Sequence, residues 1–156
     1  MNKETQSIIR NLQNTLSGEP WFGRALYPIM EEVDASKVYT KPKGTEHSLI
    51  ELLYHMITWA TFCLLQLKNS SPEELKETES LDWRELDPKT HTWKNGMTAF
   101  KEIHKEIVSF LETKNDELLS QMVKGRKFNY RFMLNGLIQH NIYHLGQVAY
   151  VKKLLA

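Results

Sequence analysis

His140 and His144 lie one helical turn apart in the run Gln139-His-Asn-Ile-Tyr-His-Leu-Gly-Gln-Val148. At 100° per residue, Met133, Leu137, His140, His144, Val148, Val151 and Leu155 share one helix face, the face that a core-facing helix fills with hydrocarbon. Burying two imidazoles there is costly unless their nitrogens find partners. A divalent metal satisfies both at once, because i and i+4 side chains project side by side. A third imidazole is available at His55, on the shoulder of another helix's apolar stripe and flanked a turn away by Leu52 and Trp59. From mid-helix it can reach a neighbouring helix across the usual spacing of about 8–10 Å. Three neutral imidazoles suit zinc, nickel or ferrous iron and leave a coordination position for water or substrate. The spacing equally allows a plainer arrangement, with His140 and His144 bonded to backbone carbonyls or water and His55 facing solvent.

The remaining candidates read as structural. His47 opens a helix and reads as a surface or capping residue, and His91, placed in the first turn of the third long helix, reads the same way. His104 lies on an apolar stripe with no i+4 histidine or carboxylate, as expected of a core histidine bonded internally. Cys63 reads as core packing and Trp59 as core or pocket wall. Tyr143 and Gln147 bracket the histidine stripe, either to donate hydrogen bonds near an open coordination position or to pack at a helix interface.

The elements that must position these residues are all helical. Apolar spacing predicts a first long helix over 3–17, closed by Gly18 and Pro20, then a short one around Leu26, Ile29, Met30 and Val33, kinked at Pro28. Ser48 with Glu51 forms a capping box opening the second long helix, with the stripe Leu49, Leu52, Leu53, Met56, Ala60, Cys63 and Leu67. Ser71-Pro72 starts a short helical turn, and 81–87 is a polar connector holding Trp83. Asp87-Pro88 predicts the start of the third long helix, with Trp93, Met97, Phe100, His104, Ile107 and Leu111 on its stripe. Asp116 is expected to cap a brief helix reaching Val123, and the fourth long helix runs over 130–154. Four long amphipathic helices in a chain of 156 residues predict one domain over 1–156, an all-α four-helix bundle with a long crossover between helices two and three. A second apolar set on the last helix (Leu134, Ile138, Ile142, Leu145 and Ala149) suggests a shared face and a homodimer.

Composition narrows the partners. Lys and Arg number 20 against 19 Asp and Glu, leaving a net charge of +1 with no basic helix face. Nucleic acid and anionic membrane are therefore poor partners. No uninterrupted apolar run of about 18 residues appears, so no spanning helix is expected. The first residues, Met-Asn-Lys-Glu-Thr-Gln-Ser, show no apolar signal core. A lone Cys63 forms no internal disulfide, which fits a cytoplasmic protein.

Two segments carry a family resemblance. His47-Ser-Leu-Ile-Glu-Leu-Leu-Tyr-His55-Met-Ile-Thr-Trp59 and Gly136-Leu-Ile-Gln-His140-Asn-Ile-Tyr-His144-Leu-Gly-Gln147 resemble the two histidine helices of the DinB-like (YfiT-like) family of metal-binding four-helix bundles. Asp82-Trp83, Trp93 and Pro20-Trp21 also fall where related members place comparable residues, so the resemblance spans almost the whole chain. It implies His55, His140 and His144 as metal ligands. It further implies a metal-dependent enzyme, with thiol S-transferases, a thiol-dependent isomerase and hydrolases among its relatives. Many members carry an acidic residue directly after the first histidine of the last helix; here it is Asn141. That removes a base for activating water, so transfer of a low-molecular-weight thiol to a small-molecule substrate is the favoured expectation. The competing expectation is a non-catalytic dimeric bundle with a structural or adventitious metal. A DNA-binding role finds no support in the charge distribution.

Overall fold

The computed structural model describes residues 2–156. Its regular elements are α1 (Lys3–Ser17), α2 (Leu26–Glu31), α3 (Leu49–Leu67), α4 (Pro72–Ser80), α5 (Trp93–Glu112), α6 (Glu117–Ser120) and α7 (Tyr130–Leu154). Among the described residues the only β-type pairing is an isolated bridge between Met122 and Asn129, next to the start of α7. The four long helices are those expected from apolar spacing, and each buries its stripe. α3 packs on α5 and α7, and α1 packs on the same two helices. The chain is thus all-helical, with its core between these four.

α3 is the central element. Ser48 caps it with a full capping box, its side chain accepting from the Glu51 backbone N–H while the Glu51 carboxylate accepts from that of Ser48. Leu49–Leu67 is long and apolar enough to cross a membrane by length and composition, but polar residues such as Glu51 and Gln66 interrupt it and most of it is buried in this fold. The seam with α5 is close enough to require Gly96, where an added Cβ would sit 2.7 Å from Leu53 Cδ2. α7 runs antiparallel to α3. The Tyr130 hydroxyl donates to the Gln66 carbonyl at 2.9 Å at one end, and the histidines of both helices meet further along.

Three boundary expectations are corrected. Pro28 does not kink α2, because it occupies the first turn, where its missing N–H has no intrahelical role. α5 begins at Trp93 with Thr92 as its cap, accepting from the Asn95 N–H. Asp87-Pro88 instead opens a turn, in which Asp87 accepts from the Lys89 N–H at 2.9 Å. His91 therefore precedes α5, its Nδ1 accepting from the Asp87 N–H at 2.9 Å. Asp116 makes no side-chain cap on its own short helix. Its carboxylate accepts from the backbone N–H groups of Thr5 (2.8 Å) and Glu4 (3.3 Å), capping α1 from across the molecule. The second apolar set of α7 is largely buried within the chain: Leu134, Ile138 and Leu145 belong to the core. It leaves no free face, and the exposed large apolar residues of α7 are Phe132, Tyr143, Tyr150 and Leu154.

Candidate metal centre

His55 of α3 and His140 and His144 of α7 converge. His55 Nε2 lies 2.9 Å from His144 Nε2 and 3.0 Å from His140 Nε2. Their ligand atoms form a cluster within 4.8 Å of one another, with no fourth His, Cys, Asp or Glu among the described residues. The helix that sequence spacing predicts presents both α7 imidazoles to α3, and the antiparallel register brings His55 opposite them.

The outer nitrogens of His55 and His144 fix how those two rings are protonated. His55 Nδ1 donates to Asp82 Oδ1 at 2.5 Å, since a carboxylate accepts only. His144 Nδ1 donates to Gln147 Oε1 at 2.5 Å. With the proton on Nδ1 in both neutral rings, their Nε2 atoms face each other as bare lone pairs with no hydrogen between them. Burial holds all three rings neutral. It lowers the His140 pKa to about 3, with further depression from His144 and His55, and that of His144 to about 4. The His55 pKa also falls, burial outweighing the Asp82 carboxylate. The two bare lone pairs of His55 and His144, 2.9 Å apart, repel unless a cation or a proton on His140 Nε2 lies among them. Tetrahedral zinc spaces imidazole nitrogens at about 3.3 Å, a few tenths of an ångström from the separations seen here. The donor set therefore fits a divalent metal. One candidate ligand lacks an outer partner: His140 Nδ1 is buried without a hydrogen bond.

The connector between α4 and α5 is tied to this cluster through two residues to which sequence reasoning gave no role. Asp82 Oδ2 accepts from Trp59 Nε1 at 3.2 Å while Oδ1 holds His55, so one carboxylate positions a candidate ligand and a neighbouring indole. Trp83 lies between two imidazoles, stacked 3.9 Å over His55 and 3.8 Å over His47. Its backbone is left-handed, φ 50°, a conformation disfavoured for a bulky residue. Asp82 and Trp83 stood out in the sequence only as part of the family resemblance.

The other candidates fall away from the cluster. His104 is fully buried on α5, its Nδ1 donating to the Phe100 carbonyl (2.9 Å) and its Nε2 accepting from Asn141 Nδ2 (3.0 Å). Asn141 is itself fully buried and directed to His104, so the position expected to carry a base does not face the triad. Tyr143 is exposed, its ring edge against His144 at 5.0 Å, and Gln147 orients His144. His47 is the stacking partner of Trp83 rather than a cap. Cys63 is buried, and burial pushes its thiol up to about 12, leaving it protonated and inert.

An all-helical protein that gathers three neutral imidazoles from two antiparallel helices is a candidate metalloprotein of the histidine-bundle kind. The sequence model of the DinB superfamily matches residues 22–148, and the chain belongs to that superfamily. Comparison with curated proteins finds no match.

Proposed function

We propose that the protein is a metal-dependent enzyme built as a four-helix bundle, in which His55, His140 and His144 hold one divalent metal (zinc, nickel or ferrous iron). The reaction we assign is transfer of a low-molecular-weight thiol to a small-molecule electrophile, with hydrolysis by water as the variant chemistry. The observation that carries this reading is the convergence of three imidazole Nε2 atoms, with the His55 and His144 rings oriented by Asp82 and Gln147. A divalent cation on three imidazoles retains a coordination position at which a bound thiol or water loses its proton near neutral pH. The protein's own part is to fix the rings, exclude bulk water beneath Trp83 and keep the donors unprotonated.

Thiol is favoured over water because no free base stands beside the triad. Both Asp82 oxygens are engaged, by His55 and by Trp59, and Asn141 is turned to His104. Nor is a protein nucleophile at hand, since Cys63 is buried and protonated. A cytoplasmic setting, where small thiols stay reduced, suits both this chemistry and a lone cysteine.

A second reading, a non-catalytic dimeric protein with a structural metal, draws on Trp83, which covers His55, and on the exposed Phe132, Tyr143 and Tyr150 of α7. Cobalt-loaded protein separates the two. Addition of 2-mercaptoethanol should produce a thiolate-to-cobalt charge-transfer band, absent in His144→Ala. Cobalt bound in full with no such band would mean a closed site and favour the structural reading.

A further inference from the structure

An apolar pocket of about 190 Å³ lies in the seam between α3 and α7, one turn beyond the triad, with His140 in its wall. Its two sides are aromatic: Trp59 and Phe62 from α3, and Phe128 and Phe132 from the start of α7 and the loop before it. Each side is a ring pair, Trp59 edge-on to Phe62 at 5.4 Å and Phe128 against Phe132 at 5.3 Å. The same Asp82 carboxylate that holds His55 also holds Trp59, so the pocket wall and the triad share one support.

Gly136 lines this pocket about one turn before His140. A glycine in mid-helix is among the poorest helix formers. Gly96 has a packing reason, because a Cβ there would strike Leu53. Gly136 has none, for a Cβ built on it meets nothing within 4 Å. Helix stability argues for filling that position, and the open space it preserves belongs to the pocket.

We propose that this pocket binds a single aromatic ring of the protein's small-molecule substrate, with Gly136 keeping the floor clear and His140 marking the end that faces the triad. An enclosed apolar cavity of about 150 Å³ takes a benzene ring, so this more open pocket has room for one substituted ring. Four aromatic side chains favour an aromatic over an aliphatic guest through edge and offset-stacked contacts. The proposal rests on the reading of the triad as a metal-dependent active site.

The test is titration of the full chain with toluene, followed through the methyl NMR signals of Met133 and Leu137, which line the pocket. It is run on zinc-loaded and on chelator-treated protein, with metal content measured on the same samples. Saturable shifts at these two residues, unchanged remote core methyls such as Ile107, and at least a tenfold weaker affinity in Gly136→Leu would bear it out. Gly136→Ala should weaken binding less, and helicity and metal content should match the parent in both variants. Absence of a saturable shift, or unchanged affinity in Gly136→Leu, would overturn it. Signals that respond to protein concentration but not to toluene would also overturn it and assign the groove to a second copy of the chain. Toluene binding without any metal uptake would instead leave the pocket standing and remove the metal reading.

Discussion

Asp82 holds two side chains at once, and the consequence is measurable at the level of single residues. Partners of metal-bound histidines typically contribute 10–100-fold to metal affinity. Asp82→Asn should weaken zinc binding by about that factor, measured by competition with a chromogenic chelator, while helicity stays unchanged; equal affinities would mean that Asp82 is only a connector anchor. Trp83 adopts its left-handed backbone while stacked between His47 and His55. Trp83→Ala should speed metal release to a chelator several-fold, and an unchanged rate would show that the indole does not cover the site. His104 gives a pH signature separate from the metal. Burial lowers its pKa from 6.5 to about 4, so the folded state resists a proton that the unfolded chain takes up. Its contribution is complete above pH ~6.5 and is lost as pH falls towards about 4, roughly 3 kcal/mol in all. In chemical denaturation, His104→Gln should show a flatter loss of stability over that window; parallel curves would contradict a neutral buried His104.

At the scale of elements, the seam between α3 and α5 depends on Gly96, where a Cβ would sit 2.7 Å from Leu53 Cδ2 and 3.0 Å from Tyr54 Cε2. Gly96→Val should destabilise the fold by about 1–3 kcal/mol through overpacking, read from denaturant midpoints. A gain in stability would mean that the seam yields. The long helices were legible in the sequence because each carries a 3.6-residue apolar stripe, and the α3 and α7 boundaries followed from the Ser48–Glu51 box and the extent of the pattern. Local signals failed where a partner remote in sequence, or a second cap a few residues on, competes. Asp116 reads as a cap for the helix it precedes yet caps α1, and Asp87-Pro88 reads as a helix start yet forms a turn ahead of Thr92. The triad's two α7 members were visible as polar residues on an apolar face. Asp82 and Trp83 were not, because a connector has no periodicity from which to read direction.

For the whole molecule, the site ties together elements far apart in the chain. His55 comes from α3, His140 and His144 from α7, and Asp82 from the connector before α5. A ligand bound only by the folded arrangement stabilises it by RT ln(1 + [L]/Kd), about 2.7 kcal/mol at a hundredfold excess over Kd. Zinc should therefore raise the thermal midpoint of the parent protein by several degrees and leave that of His144→Ala unmoved. The dimer expected from a doubly apolar α7 loses its original basis, because Leu134, Ile138 and Leu145 are buried within the chain. The central claim is that three histidines hold one metal, and elemental analysis tests it most directly. Protein without a tag, purified without chelators, should contain about one zinc, nickel or iron per chain, and His140→Ala should lose it. No metal in the parent even after incubation with these ions, or undiminished metal in His140→Ala, would contradict the account.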